Sequence, residues 1–204
     1  MIRLKIGILD YDLGNQDSLL YSLKSFGFNA YVSWKPQVLL DSDLIVLPGV
    51  GAFPEAMDIL KKRGLDDFIF EWVKSNKPII GICLGMQLLC SKSYEFEETR
   101  GLDLIKGEIV EIKNTNWHIG WNDNYFLIDD NIFNGLKKDQ FYFNHKFKYV
   151  GEEKFIIGET KSLGETIPSI IKSGNIIGFQ FHPEKSQLAG KEILQKIIKK
   201  LING

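Results

Sequence analysis

Pro78-Ile-Ile-Gly-Ile-Cys83-Leu-Gly-Met-Gln87 is the stretch on which the reading of this chain turns. Ile79-Ile-Gly-Ile82 is a continuous apolar run, the pattern of a strand covered on both faces of a sheet. It leads straight into Cys83, with Gly81 and Gly85 two residues to either side. Glycine–X–nucleophile–X–glycine is the spacing of a sharp strand-to-helix turn that presents a nucleophile, here with Cys where hydrolases often carry Ser. Small residues are needed on both sides because Cβ atoms there would strike neighbouring backbone. A helix starting near Leu84 would aim free N–H groups at the sulfur and favour its thiolate form. Without support elsewhere, the same residues read as a core Cys beside packing glycines.

Outward from this turn the pattern repeats. Ile6-Gly-Ile-Leu9 and Leu44-Ile-Val-Leu47 are further buried-strand runs. Between the runs, Ser18–Phe26 carries Leu19, Leu20, Leu23 and Phe26 on one face, and Glu55–Lys62 and Asp66–Lys74 have helical spacing as well. Strand and helix in alternation predict a parallel sheet with helices on its faces. After residue 104 the runs shorten. Ile105–Ile112, Tyr125–Ile128, Gln140–Phe143, Lys154–Glu159, Ser169–Ile171 and Ile176–Phe181 read as strands separated by Gly, Asn and Asp turns. A last helix is expected over Gly190–Ile202, with Ile193, Leu194, Ile197, Ile198 and Leu201 as its apolar stripe. The expected fold is α/β: a mostly parallel central sheet flanked by helices, with antiparallel or mixed strands in the second half. Residues 1–204 are read as a single domain, since no linker or repeat interrupts them.

Composition excludes several classes of function. Lys and Arg number 25 against 26 Asp and Glu, a net charge of −1, which leaves no basic excess for nucleic acid. Apolar runs such as Leu44–Val50 fall far short of the roughly 20 residues that span a membrane. The opening Met1–Asp12 meets an acid after a short apolar stretch and reads as a first strand, not a signal peptide. Cys83 and Cys90 make no disulfide framework, so a cytoplasmic, reducing setting is expected. His118, His145 and His182 are scattered, and no Cys or His pair has structural zinc spacing, so no metal is expected.

A second chemical signal lies a hundred residues beyond the Cys. Gly178-Phe-Gln-Phe-His182-Pro-Glu184 is a strand ending in His, with Pro183 stopping the strand and stiffening the turn. That places His182 at a strand end, where the crevice of a parallel sheet opens. Glu184 can accept the imidazole N–H and fix its tautomer, as the acid of a triad does. In Leu47-Pro-Gly-Val-Gly51-Ala-Phe53 an apolar strand ends in a glycine-rich loop able to offer backbone N–H groups to an oxyanion. It lacks the Lys-Ser/Thr of a phosphate-binding loop.

Gly81-Ile-Cys-Leu-Gly-Met-Gln87 with Gln180-Phe-His-Pro-Glu184 resembles the class I (triad) glutamine amidotransferases, a flavodoxin-like fold. Asp10-Tyr-Asp-Leu-Gly-Asn15, Pro48-Gly-Val-Gly-Ala-Phe53, His118-Ile-Gly-Trp-Asn122 and His182-Pro-Glu-Lys-Ser186 narrow the likeness to the glutaminase subunits of imidazole glycerol phosphate synthases. The resemblance implies that Cys83 takes the γ-glutamyl group of glutamine, that His182 is base and then acid, and that Glu184 orients it. It implies an oxyanion hole from the backbone of Leu84 and of the Val50-Gly51 peptide. Gln87, Glu95 and the backbone of His145, Lys146 and Phe147 would hold the amino-acid end of glutamine. No cofactor is implied. The partner implied is a barrel-shaped cyclase subunit that receives the ammonia in histidine biosynthesis, met through Asn15, Trp121, Asn122, Tyr142 and Lys185.

Three positions depart from the family pattern: Asp12 where Gly is usual, Trp117-His-Ile for Pro-His-Met, and Lys146 where Ser or Thr commonly follows the His. They leave room for a paralogous glutaminase whose barrel partner makes amidino sugars for surface polysaccharide. A non-catalytic scaffold and a stand-alone Cys hydrolase are the readings of other classes. Cys90, seven residues beyond Cys83, is expected farther along the same helix and facing the core.

Overall fold

The computed structural model describes residues 4–113, 117–127, 133, 138–162 and 164–203. The first half alternates as its apolar runs require: β1 (Lys5–Leu9), α1 (Gln16–Ser25), β2 (Asn29–Ser33), α2 (Pro36–Leu39), β3 (Leu44–Leu47), α3 (Phe53–Lys62), α4 (Leu65–Lys74), β4 (Ile79–Ile82) and α5 (Leu84–Leu88). Short strands then dominate: β5 (Cys90–Ser93), β6 (Thr99–Arg100), β7 (Ile105–Glu111), β8 (His118–Phe126), β9 (Lys138–His145), β10 (Phe147–Val150), β11 (Ile156–Ser162), β12 (Glu165–Ser173) and β13 (Ile176–Phe179). A 3-10 turn at Pro183–Lys185 leads into α6 (Gln187–Asn203).

Among the described residues the main sheet runs β2-β1-β3-β4-β13-β12-β11-β8-β9. It is parallel from β2 to β13 and antiparallel from β13 to β9. A four-stranded sheet, β10-β7-β5-β6, lies apart from it. The α/β architecture, with its parallel first half and antiparallel second half, is the one expected from the sequence.

The two faces of the main sheet carry separate apolar layers. On one, the α6 stripe of Ile193, Leu194, Ile197, Ile198 and Leu201 packs with Leu19 and Leu23 of α1 against Ile6, Val46, Ile80 and Phe179. On the other, Ala56, Met57 and Leu60 of α3 and Ile69 and Trp72 of α4 meet Ile45, Leu47 and Ile79. Ile105, Ile109 and Tyr149 of the small sheet join that second layer. Alternate residues of β1, β3 and β4 therefore face opposite layers, which is why these strands read as unbroken apolar runs.

Differences from the sequence reading have local causes. The segment Asn29-Ala-Tyr-Val-Ser33 forms an edge strand, but its polar ends and single fully buried residue, Ala30, give no buried-run signal. The expected strand at Tyr125–Ile128 begins earlier, at His118, since Gly120, Asn122 and Asn124 break its apolar alternation; Ile128 lies outside the described residues. Lys154 lies in a 3-10 turn, Glu153–Phe155, so the next strand starts at Ile156. Cys90 is not on the helix after Cys83: α5 ends at Leu88, and Cys90 opens β5. It is nonetheless fully buried, as expected.

The registers Leu47↔Gly81 and Ile82↔Phe179 bring the carboxyl ends of β3, β4 and β13 to one level. The chain turns there under tight backbone contact. A Cβ on Gly85 would stand 1.9 Å from the Leu47 carbonyl oxygen, and one on Gly81 would stand 2.5 Å from the Gly85 carbonyl oxygen. Both neighbours are backbone within packed elements and cannot swing aside. Gly85→Ala should therefore destabilise the fold by roughly 1–3 kcal/mol or more, read as a lower urea midpoint at unchanged m-value; an unaltered midpoint would contradict this packing.

Candidate active site

Cys83 occupies the first position beyond β4 with φ 52° and ψ −108°, backbone angles that an L-residue adopts only under constraint. Its N–H donates to the Phe179 carbonyl at 2.7 Å, and its carbonyl accepts the Gln87 N–H at 3.2 Å. Strand pairing on one side and the first turn of α5 on the other thus hold the strained residue. The thiol is largely buried, 3.7 Å from the Asn144 carbonyl, and Gln180 Nε2 approaches the sulfur at 3.9 Å.

Beyond β13 the chain carries Gln180, Phe181 and His182 past the end of β4. The His182 N–H donates to the Tyr142 carbonyl at 2.9 Å, so β9 fixes the backbone of this residue. Its Nδ1 pairs with Glu184 Oε1 at 2.8 Å, and both side chains are almost wholly buried. A carboxylate can only accept, so Nδ1 carries the proton and Nε2 is the nitrogen left for chemistry. Nε2 is buried and forms no hydrogen bond. Burial alone would suppress the charged ring. The negative charges of Cys83 and Glu184 outweigh it, and the ring is held up at about 10. Cys83 and Glu184 thus act on the ring from its two sides, and contacts at Nε2 commonly tighten only with substrate in place.

The loop after β3 faces the same point. Tyr11, fully buried, donates its hydroxyl to the Pro48 carbonyl at 2.5 Å. A Cβ on Gly49 would stand 2.6 Å from that hydroxyl and 2.7 Å from Leu84 Cβ, so only glycine lets the loop pass between them. Gly51 has φ +122°, a conformation glycine adopts without strain.

The ends of β3 and β4 enclose one side of a 490 Å³ pocket lined by Val50, Gly51, Cys83, Leu84 and Gln87, while His182 and Glu184 line a smaller cleft that shares Val50 with it. Glu95, Phe96, Trp117, Asn144, His145, Lys146 and Phe147 form the other side. All residues expected for the oxyanion and for the amino-acid end of glutamine thus share this pocket with Cys83. Gln87 Nε2 reaches Gln180 Oε1 at 3.2 Å and the Phe147 carbonyl at 3.4 Å. Glu95 Oε2 accepts the Phe53 N–H at 2.8 Å. Burial raises the Glu95 carboxyl, against the opposing pull of that N–H and of Lys146. Lys146 itself pairs with Glu111 at 2.8 Å.

Of the expected partner contacts, Asn15 lies near His182 and Glu184, and Trp121 and Lys185 gather at Tyr142. Asn15 lines a small cleft with Pro48, Gly49, Val50, His182 and Glu184. Trp121 meets the Tyr142 ring edge-on at 6.3 Å, and Lys185 Nζ stands 5.9 Å from the centre of the same ring. Asn122 is half-buried on the opposite face of β8, its amide nitrogen 3.2 Å from His118 Nε2 and donating to the Lys161 carbonyl at 2.8 Å. Phe96, Trp117 and Asn144 escaped sequence reasoning as pocket residues. Trp117 Nε1 donates to Asn144 Oδ1 at 2.5 Å, a contact made across two strands that no local motif encodes. Among the described residues no group of three or more His, Cys, Asp or Glu side chains is placed to hold a metal.

Two tests follow from this geometry. Burial drives the Cys90 thiol well above the ordinary cysteine range, whereas Cys83 opens on the pocket, so one equivalent of iodoacetamide should alkylate Cys83 and spare Cys90 in peptide mass spectra. Cys83→Ser removes the anion facing His182 and should lower that ring's titration midpoint, followed by imidazole NMR. The sign is fixed: a raised histidine pKa stabilises the fold below about 6.5, its ordinary value, and that stabilisation fades as pH rises through about 10. The high-pH loss should shrink in the serine variant.

Comparison with known proteins shows the family. Residues 8–201 match the family model described as glutamine amidotransferase class-I. The imidazole glycerol phosphate synthase subunit HisH of Carboxydothermus hydrogenoformans is 41% identical over 93% of this chain and 96% of its own length. The protein of the same name from Aquifex aeolicus is 40% identical over 95% of each. Among solved structures, PurLQS from Thermotoga maritima superposes with a TM-score of 0.77 at 21% identity, covering 98% of this chain and 100% of that one. The glutaminase domain of Trypanosoma brucei CTPS, solved with acivicin, gives 0.60 at 14% identity over 96% and 94%. At those identities the two structures speak for the fold alone. With the family model spanning the chain from β1 to α6, the chain belongs to the class I glutamine amidotransferases.

Proposed function

We infer that this chain is the glutaminase subunit of an imidazole glycerol phosphate synthase, releasing ammonia from glutamine for a barrel-shaped cyclase subunit. The observation that carries the reading is one pocket holding Cys83, the Gly51 loop and Gln87, with the buried His182–Glu184 pair beside the sulfur. The relatives' shared name favours this partner over an amidino-sugar synthase. Residues 1–204 then act as a single amidotransferase domain, paired with the cyclase in a heterodimer in the cytoplasm. Among the described residues no helix is long and apolar enough to cross a membrane.

The chemistry follows from the charges. His182 takes the Cys83 proton as general base, and the ring, held up at about 10, keeps that proton at neutral pH. The sulfur attacks the γ-carbonyl carbon of glutamine. The carbonyl electrons move to oxygen, where Leu84 and the Val50-Gly51 peptide would supply N–H donors. Collapse of this intermediate expels the amide nitrogen, which takes the His182 Nε2 proton and leaves as ammonia. His182, now neutral, removes a proton from water as the water attacks the thioester. Thiolate and imidazolium return together, and glutamate departs. Glu184 keeps the ring's tautomer and offsets its charge throughout. Asn15, Trp121, Asn122, Tyr142 and Lys185 form the surface toward the cyclase in this reading, with Lys185 pairing with an acid there.

Glutamine hydrolysis by the isolated subunit, by the complex, and by the complex with synthase ligand bound tests the proposal. Rates should rise along that series, and equal rates would refute the coupling. Cys83→Ala should abolish hydrolysis while preserving the complex. His182→Ala should lose about 10²–10⁴-fold in rate, with Glu184→Gln milder, because the ring remains; full turnover in either Cys83→Ala or His182→Ala would refute the triad.

A further inference from the structure

Beside the pocket, two histidine rings that the thiol chemistry does not use are joined in a buried chain. His118 Nδ1 and His145 Nε2 stand 2.9 Å apart, His145 Nδ1 lies 2.7 Å from the Phe147 carbonyl, and Asn122 Nδ2 lies 3.2 Å from His118 Nε2. Both rings are about 95% buried, at 5% and 4% exposure. We propose that Asn122, His118 and His145 form a positioning relay that ties the inward face of β8 to the Asn144–Phe147 wall of the pocket. The proposal deepens the glutaminase reading and rests on it.

A single carbonyl fixes the polarity of the whole chain. The Phe147 oxygen can only accept, so His145 Nδ1 carries hydrogen and, in a neutral ring, its Nε2 must accept. His118 Nδ1 is then the donor, and its Nε2 accepts from Asn122. The Asn122 oxygen is already engaged by the Asp123 N–H at 2.8 Å, and its amide nitrogen also donates to the Lys161 carbonyl at 2.8 Å. Every polar atom of the three side chains is thereby used in one direction. Protonating either ring would set two N–H groups against each other. Burial opposes this, holding His118 near 4 and His145 near 3, the latter also pushed down by its neighbour.

The wall that the relay holds touches the reacting end of the pocket twice. The Asn144 carbonyl faces the Cys83 sulfur, and the Phe147 carbonyl takes Gln87 Nε2 as well as His145. Packing stiffens the same unit: the His118 ring stacks on Phe143 at 4.6 Å, and Phe143 meets Phe181, the residue before His182, at 5.7 Å. At the other end, Asn122 follows the half-exposed Trp121. A shift of β8 at its surface would pull on the pocket wall through three directed hydrogen bonds rather than through loose packing.

The test uses the subunit in complex with the cyclase. His118→Leu removes the central link and should raise the glutamine KM about fivefold, the size of one ordinary lost hydrogen bond, with kcat much less affected. His118→Gln can accept through Oε1 and donate through Nε2, and should restore KM. A folded His118→Leu protein with unchanged KM, or a His118→Gln protein no better than it, would overturn the relay. Imidazole ¹⁵N spectra of the wild-type protein give a readout free of turnover: both rings should be neutral, protonated at Nδ1 and bare at Nε2. An Nε2–H tautomer at His145 would overturn the proposal as well. Absence of glutaminase activity in the wild-type complex would instead defeat the glutaminase reading, with the nitrogen shifts still deciding the relay.

Discussion

The constraint on which the site depends is the contact of bare backbone where α5 meets the ends of β3 and β4. Gly85 lies so close to the Leu47 carbonyl that no Cβ fits, and Gly81 lies as close to Gly85. This pressed geometry forces Cys83 into a backbone conformation costing about 1–3 kcal/mol, sustained by the Phe179 and Gln87 hydrogen bonds on either side of it. The same constraint brings Leu84, the first residue of α5, to the pocket wall and lets the loop at Gly49 pass close over it. Relaxing the turn would cost the thiol its position and the loop its neighbour together.

Electrostatics completes what the turn begins. His182 lies in surroundings that would ordinarily strip the ring of its charge. Its hydrogen bond to Glu184, and the anion at Cys83, reverse the outcome for the ring. The unpaired Glu184 Oε2 and His182 Nε2 are therefore informative. An orphaned buried polar atom costs stability, and among the described residues two of the three such atoms, with Asn124 Nδ2 the third, fall on this one pair. Nε2 faces the sulfur's side of the site, and Glu184 lines the cleft that Asn15 closes.

What could be read from the sequence divides along a physical line. Elements stabilised by one continuous apolar run or one apolar stripe were legible: β1, β3, β4, α3, α4 and α6 all lie where the pattern puts them. So were the motifs confined to a few residues, since Gly81 to Gly85 and His182 to Glu184 encode their own turns. β2, β5, β6 and β10 were not legible, because their residues are polar or half-exposed and their pairing comes from partners far along the chain. The same limit hid Trp117 and Asn144 from the pocket and Cys90 from its strand. Lys146 departs from the family pattern at a pocket position, yet Glu111 takes its charge from the neighbouring sheet, a compensation invisible without the fold.

β9 draws these levels together, since it serves the reaction without supplying a reacting group. Its Tyr142 carbonyl anchors His182, its Asn144 carbonyl faces Cys83, and its His145 side chain secures the turn that continues into β10. Tyr142, between Trp121 and Lys185, belongs to the surface assigned to the cyclase, while Phe141 and Phe143 stack into the core against Phe181. Alternation along one strand thus puts core packing on the odd positions from 141 to 145 and surface or pocket contacts on the even ones between them. The strand is paired throughout with β8, so one pleated element holds the backbone of His182 through the Tyr142 carbonyl and faces Cys83 through the Asn144 carbonyl, and both depend on the same register.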